Sequence, residues 1–256
     1  MTQPRDPVAV RLGAVLRALA AEEPDGGTTA GLARRAGLAR PTAHRLLTTL
    51  AEQGLVDRTA ASGRWHLGPE LYLLGQAAAP RYDVTDAARE IVSELASETG
   101  ESAFFSIRRG DETVCLVRED GSFPLRSHVL HEGVRFPLGV ASAGLVILAH
   151  LPDRDVDDYL SRVDLGAAWG AGHERSPLEA RVAETRRDGY ATNPGLVVEG
   201  SWGMGAAVFD ALGSPRWALS LTGVESRFRS ERRAELGTLL LDQAHRLGRR
   251  LARRDT

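Results

Sequence analysis

The side chains best suited to reading another molecule gather in residues 40–52, RPTAHRLLTTLAE. At about 100° per residue, Ala43, Leu46, Leu47 and Leu50 share one face of a helix. Arg45 and Thr48 fall on the opposite face, with Thr42 and Thr49 on one shoulder and His44 on the other. Such a helix fits a DNA major groove, its N-terminal residues toward the base edges. Arg45 is the strongest base reader, because its guanidinium can bond guanine bidentately; Thr42 and His44 are secondary. Arg40, Thr28, Thr29 and Thr48 are candidates for phosphate contacts. Arg58 and Arg64 flank a predicted hairpin that can lie along the backbone or in the minor groove. From Thr28 to His66 six arginines stand against two acids, a local charge of +4 in a chain of net charge −2. The remainder is therefore acidic, and an anionic partner is expected at this end only. Every basic residue is arginine. The competing readings are a solvated charged face and a small helical module that binds protein.

Other chemistry is sparse. His128 and His131 are three apart with Glu132 adjacent, a spacing open to a metal or to a solvated turn, but nothing completes a four-ligand set with Cys115. Cys115 alternates as a strand residue and reads as core. The stretch GVASAG (139–144) has Val140 where a nucleophile elbow needs glycine, and GSWGMG (200–205) has its glycines in the wrong order for a dinucleotide fingerprint. No catalytic residue, metal or cofactor is expected. GVASAG is better suited to binding: it precedes a helical run, so Ser142, Ala143 and Gly144 can offer free backbone N–H groups to an anion such as a carboxylate.

The elements that must position these groups follow from pattern. Residues 8–20 form a helix with Val8, Leu12, Val15, Leu16 and Leu19 on one face, broken by PDGG (24–27). Thr28 or Thr29 caps a second helix ending at Gly37, and Pro41 sits in the first turn of the third. Residues 55–58 and 64–68 form a hairpin. Three helices and a hairpin make a winged helix-turn-helix. Residues 69–80 form a short helix, and 84–100 a longer one with Ala88, Ile91, Val92 and Leu95 as its apolar stripe. Strands are predicted at 102–109, 113–120, 125–129, 190–193, 204–210 and 217–223. Helices are predicted at 141–150, 153–163, 176–189 (capped by Ser176, with Pro177 first) and 229–254. This order describes an α+β domain, an antiparallel sheet flanked by helices. With 256 residues, one or two domains are expected. The apolar runs are too short to span a bilayer, the N-terminus lacks a secretory layout, and a single cysteine suits a reducing compartment, so a cytoplasmic protein with no membrane partner is expected.

Residues 8–68 resemble the DNA-binding domain of the IclR family of bacterial transcription regulators. The resemblance lies in TTAGLARRAGLARPTAHRLLTTLAEQGLVDR followed by GRWHLGPELYLLG, where Thr42, His44, Arg45, Leu46, Leu47, Leu50 and Gly54 fall in the family pattern and Trp65 takes the place of the usual wing aromatic. The resemblance implies that 1–68 is the winged helix-turn-helix, 69–83 a linker helix and 84–256 a GAF-like or profilin-like effector-binding and oligomerisation domain. It implies that the loop after Phe136-Pro137-Leu138 helps bind a small effector, with further pocket positions at Asn193 or Pro194, Gly203, Ser220 and Thr222. The chain departs from the family pattern in several places. Ala141 stands where threonine is common, Leu145 where lysine is, and Gly203 where cysteine is. Asn193-Pro194-Gly195-Leu196 replaces an acidic run. These changes imply a less polar pocket tuned to another molecule. Trp202 and Phe104 are candidates to line it, or are ordinary core aromatics.

The expected protein is thus a ligand-responsive regulator, a repressor, that binds double-stranded operator DNA as a homodimer or tetramer and takes a small organic effector, a carboxylate or aromatic acid. Two rivals remain: a DNA-binding scaffold whose second domain only dimerises, and an enzyme with a vestigial helix-turn-helix.

Overall fold

The structure, a computed structural model, describes residues 7–79, 84–125 and 129–252. The chain divides into two compact units, Met1–Tyr82 and Asp83–Thr256.

In the first unit, α1 (Val8–Ala20), α2 (Thr29–Arg35) and α3 (Arg40–Glu52) precede a two-stranded hairpin, β1 (Val56–Arg58) and β2 (Trp65–Leu67), and α4 (Pro69–Ala78). Val15, Leu19, Leu32, Leu46, Leu47, Leu50, Val56 and Trp65 make its core; each buried leucine contributes about 2 kcal/mol through area removed from water. Thr28 caps α2, its hydroxyl accepting from Gly31 N at 3.1 Å. Thr29 is the first helical residue, and its hydroxyl instead accepts from Trp65 Nε1 at 2.9 Å. The turn into α3 needs Gly37, whose φ of 66° only glycine adopts without strain. The predicted linker helix belongs to this unit: Glu70 N donates to Gly54 O and Gly68 N to Leu55 O, joining the start of α4 to the hairpin. No residue of α4 is buried, and Tyr72, Leu73 and Leu74 are exposed.

The second unit is built on a six-stranded antiparallel sheet of order β5-β4-β3-β8-β7-β6: β3 (Ser102–Arg109), β4 (Glu112–Glu119), β5 (Arg135–Pro137), β6 (Ala191–Pro194), β7 (Ser201–Phe209) and β8 (Pro215–Val224). One face carries α5 (Val84–Thr99) and α10 (Ser230–Ala252), with Ile91, Leu95, Leu236, Leu240 and Leu247 against Phe105, Leu219 and Leu221. The other carries α6 (Ser142–Ala149) and α9 (Arg175–Asp188), with α7 (Asp153–Arg162) and α8 (Leu165–Trp169) beside them. Every residue of α6 is buried, which is why its sequence shows no amphipathic stripe. Glu101, 2% exposed, accepts from both Arg227 Nε and Arg232 Nη1 at 2.7 Å. Both arginines also donate to Thr99 O, which ties the end of α5 to the start of α10.

The structure corrects several expectations. The third strand of this unit is at 135–137, pairing with β4, whereas Leu125 and Val129 lie in bends and 126–128, including His128, fall outside the described residues. The turn residues after Leu130 explain the shift: Gly133, at φ 83°, lets its N–H reach Cys115 O and delays the strand. Ser176 does not cap α9; the helix begins at Arg175 behind Glu174, and Pro177 sits within a first turn that needs no N–H donor. The short α8 was not predicted. Cys115 is buried, and burial pushes its thiol up to about 12. Among the described residues no group of three His, Cys, Asp or Glu side chains gathers for a metal, and no helix is long and apolar enough to cross a membrane.

Candidate nucleic-acid interface and ligand cleft

Burying Ala43, Leu46, Leu47 and Leu50 forces the other face of α3 outward, so His44, Arg45, Thr48 and Thr49 are exposed, with Thr42 half-buried beside them. Thr48 and Thr49 return their hydroxyl protons to the carbonyls of His44 and Arg45 at 3.0 Å. Among the described residues no acid holds Arg40 or Arg45, whereas Arg35 is paired with Glu22 at 2.6 Å. Arg40 and Arg45 are therefore cations open to an outside anion or base edge. Trp65 organises the surroundings. His44 meets its ring edge-on at 6.3 Å between centroids, Thr29 accepts its indole proton, and the Arg58 guanidinium lies 5.3 Å over it. Arg58 also donates to Gly63 O at 3.1 Å, which leaves it exposed on the wing. Arg64 is directed elsewhere. Its Nη1 donates to Gly26 O at 2.6 Å, half-buried, fastening the wing to the loop before α2. Thr28 is exposed, its oxygen engaged by the cap and its proton still available.

In the second unit a cleft of about 400 Å³, its mouth included, opens at the start of α6. Six of the seven pocket positions expected from the sequence line it: Ser142, Ala143, Asn193, Gly203, Ser220 and Thr222. Gly144 does not; it turns toward Leu138, where an added Cβ would lie 3.2 Å from Pro137 O. Trp202 borders the cleft at the edge of β7 but packs its ring on the α10 face of the sheet, and Phe104 is fully buried in the core. The residues sequence reasoning missed are mainly apolar: Leu130, Phe136, Ala141 and Val197.

Glycine shapes this site. Thr222 and Ser220 of β8 stand opposite Gly203 and Gly205 of β7. A Cβ on Gly205 would sit 3.1 Å from the backbone of Ser142, so any larger residue would push the start of α6 away by a few tenths of an ångström. The first helical bond of α6 is Leu145 N to Ala141 O, which leaves the N–H groups of Ser142 and Ala143 ahead of it. The hydroxyls of Ser220 (1% exposed) and Thr222 are buried without a partner among the described residues. A native fold rarely leaves such groups unsatisfied. Together these are donors for an acceptor-rich small molecule, and among the described residues no charged side chain lines the cleft. The Trp202 indole lies on the opposite face of the sheet, stacked on Phe228 at 6.4 Å and covered by the Arg233 guanidinium at 5.1 Å.

Below the cleft, His173 is buried, with Nε2 3.2 Å from Val140 O and Nδ1 3.0 Å from Trp169 O. Burial, with the Arg181 charge acting in the same direction, lowers its pKa. Arg181 donates to Gly139 O and Gly172 O, and burial lowers its pKa to about 10.

Comparison with known proteins agrees with both halves. Residues 8–60 match the model described as the IclR helix-turn-helix domain, and residues 76–249 match that of the bacterial transcriptional regulator IclR C-terminal domain. The chain is 28% identical to the transcriptional repressor IclR of Escherichia coli over 216 residues, 83% of this chain and 78% of that one. It is 31% identical to the glycerol operon regulatory protein of Streptomyces coelicolor over 252 residues, 94% of each. An IclR homolog from Microbacterium hydrocarbonoxydans, solved in complex with 4-hydroxybenzoate, shares the fold. Its TM-score is 0.73 at 22% identity, over 95% of this chain and 99% of that one. The matched families and relatives are transcription regulators, not enzymes.

Proposed function

The chain belongs to the IclR family of bacterial transcriptional regulators, and on that premise we propose that it is an effector-controlled repressor acting on operator DNA as a homodimer or a pair of dimers. The observation that carries this reading is the coexistence in one chain of two donor sets without protein partners among the described residues, one exposed and one buried. One is Arg40 and Arg45 on α3, held by no acid among the described residues. The other is the unpartnered Ser220 and Thr222 hydroxyls facing the start of α6.

Arg45 reads bases, with Thr42 and His44 beside it. Arg40, Thr28, Thr29, Thr48 and Arg58 meet phosphates or the minor groove, and Arg64 supports the wing from within. Two protomers are needed because one winged unit with so few free cations binds DNA weakly, and the exposed Tyr72, Leu73 and Leu74 of α4 supply apolar surface for pairing. The effector is a small organic acid with an apolar body. Its carboxylate accepts from the N–H groups of Ser142 and Ala143 and from the two hydroxyls, and its body lies against Leu130, Phe136 and Val197. The 4-hydroxybenzoate held by the Microbacterium homolog has this chemistry. The effector favours one arrangement of the protomers and so alters operator affinity. By linkage DNA must alter effector affinity by the same factor.

A thermal-shift screen of small monocarboxylates, 4-hydroxybenzoate included, tests the cleft. A ligand at 100 times its Kd is expected to stabilise the protein by about 2.7 kcal/mol. Ser142→Trp should abolish that shift while leaving DNA binding intact. A stabilising acid that still shifts the Ser142→Trp protein would refute this assignment of the site.

A further inference from the structure

The cleft is too narrow to admit an organic acid as it stands: its interior has room for about two water molecules. Some lining element must move, and two irregular segments line the cleft: Val129 with Leu130, and the segment that carries Val197. Of the two, the segment 195–200, GLVVEG, is a strap joining β6 to β7; its backbone bonds lie at its ends and within itself (Gly195 N to Asn193 O, Ser201 N to Val198 O, Glu225 N to Gly200 O), and its hold on the start of α6 comes from a side chain. Its two end glycines, Gly195 and Gly200, have φ of 73° and 76° and approach each other, a Cβ on Gly195 lying 3.5 Å from Gly200 N. Val197 of the strap lines the cleft and packs on the core beneath it, while Val198 is exposed.

One side chain joins the strap to the start of α6. Asn193, 4% exposed, donates from Nδ2 to Val140 O at 2.6 Å and accepts at Oδ1 from Leu196 N at 3.1 Å. Both ends of its amide are thereby engaged within the protein. We propose that Asn193 is a latch rather than an effector ligand: it holds the 195–200 strap shut, with Val197 as the plug, and the strap must open to load the cleft. This rests on the reading of the cleft as the effector site, but its test needs no effector. An effector carboxylate drawn to the Ser142 and Ala143 N–H groups adjoins Val140, the residue the latch grips, so loading and latching meet at one turn of backbone.

The test uses the full chain carrying Ser220→Cys and iodoacetamide as the probe, the rate of alkylation being read by peptide mass. The introduced thiol reports opening of the cleft. Cys115, buried in β4, reports loosening of the unit as a whole. Adding Asn193→Ala should accelerate alkylation at position 220 roughly tenfold, as expected for a lost hydrogen-bonded tie, with Cys115 unchanged. Val197→Ala, which leaves both Asn193 bonds in place, should give a severalfold increase and covers the case in which Asn193→Ala does not fold. Rates within twofold of the parent for the variants that fold would overturn the proposal. So would acceleration at Cys115 in step with position 220. An absent effector response shows in the thermal-shift screen and leaves the alkylation rates untouched, so failure of the latch and failure of the sensor reading are told apart.

Discussion

Replacing Arg45 by alanine should separate recognition from stability. The side chain is exposed on the outer face of α3, makes no ion pair among the described residues, and leaves the bond from Thr49 to the residue-45 carbonyl intact. Alanine is also the better helix former. The folding free energy should therefore change by less than about 0.5 kcal/mol. If the guanidinium reads a guanine edge, each half-site loses about 1–3 kcal/mol of discrimination, roughly 5- to 150-fold at the preferred base. Arg40→Ala is the matched control. It removes a phosphate contact, weakens all duplexes alike and lowers the salt slope by about 0.9 per protomer. The assay is fluorescence anisotropy of the full chain on the DNA upstream of its own gene and on a scrambled duplex, at two salt concentrations. Arg45→Ala should collapse the difference between the two duplexes, and Arg40→Ala should preserve it. The reasoning fails if Arg45→Ala weakens both duplexes equally with a shallower salt slope, since the residue would then be a phosphate contact.

Arg64→Ala, by contrast, should destabilise the first unit by about 1–2 kcal/mol, because it breaks a half-buried bond to Gly26 O; thermal unfolding beside Arg45→Ala would show the ordering, and equal stability of the two variants would contradict it. Glu101→Ala leaves Arg227 and Arg232 facing each other without their shared carboxylate and should cost about 3–5 kcal/mol in denaturant unfolding; a cost under about 1 kcal/mol would mean that the cluster is solvated. His173 has its pKa held below the usual 6.5, mainly by burial. Below that value the unfolded chain takes up a proton that the folded chain refuses. Stability should then fall with falling pH at up to about 1.4 kcal/mol per unit, and stay flat on this account above about 6.5. His173→Gln should remove that slope in urea titrations between about pH 6.5 and 5, and an unchanged slope would assign it to another group.

The first unit was legible in the sequence almost residue by residue because its information is local. A 3.6-residue period, the punctuation at Gly37 and Pro41, and short strands bounded by polar turns each act within a few positions. Arg64 shows where that reasoning stops. Its neighbour Arg58 has the same composition and the same hairpin context, and only the placement of the Gly26 carbonyl distinguishes the fastener from the exposed cation. In the second unit the other strands and the longer helices were recovered, but α8 was missed and β5 was misplaced, because a three-residue edge strand carries too little periodicity to be seen. The start of α6 was legible as a helix N-terminus, and the structure opens a cleft there. The apolar walls were not: Leu130, Phe136 and Val197 come from separate segments and carry no signal beyond being hydrophobic. Asn193 was read as a ligand contact because the partners that occupy it, Val140 O and Leu196 N, are visible only in three dimensions.

The central claim is that α3 reads sequence in double-stranded DNA on behalf of a paired protein. Its most direct test is selection of duplexes from a randomised pool by the full-length chain, followed by sequencing. The account predicts enrichment of an inverted repeat whose half-sites lie about 10 base pairs apart, centre to centre, or a multiple of that, with enrichment lost for Arg45→Ala. A pool that retains its random composition through successive rounds would contradict it.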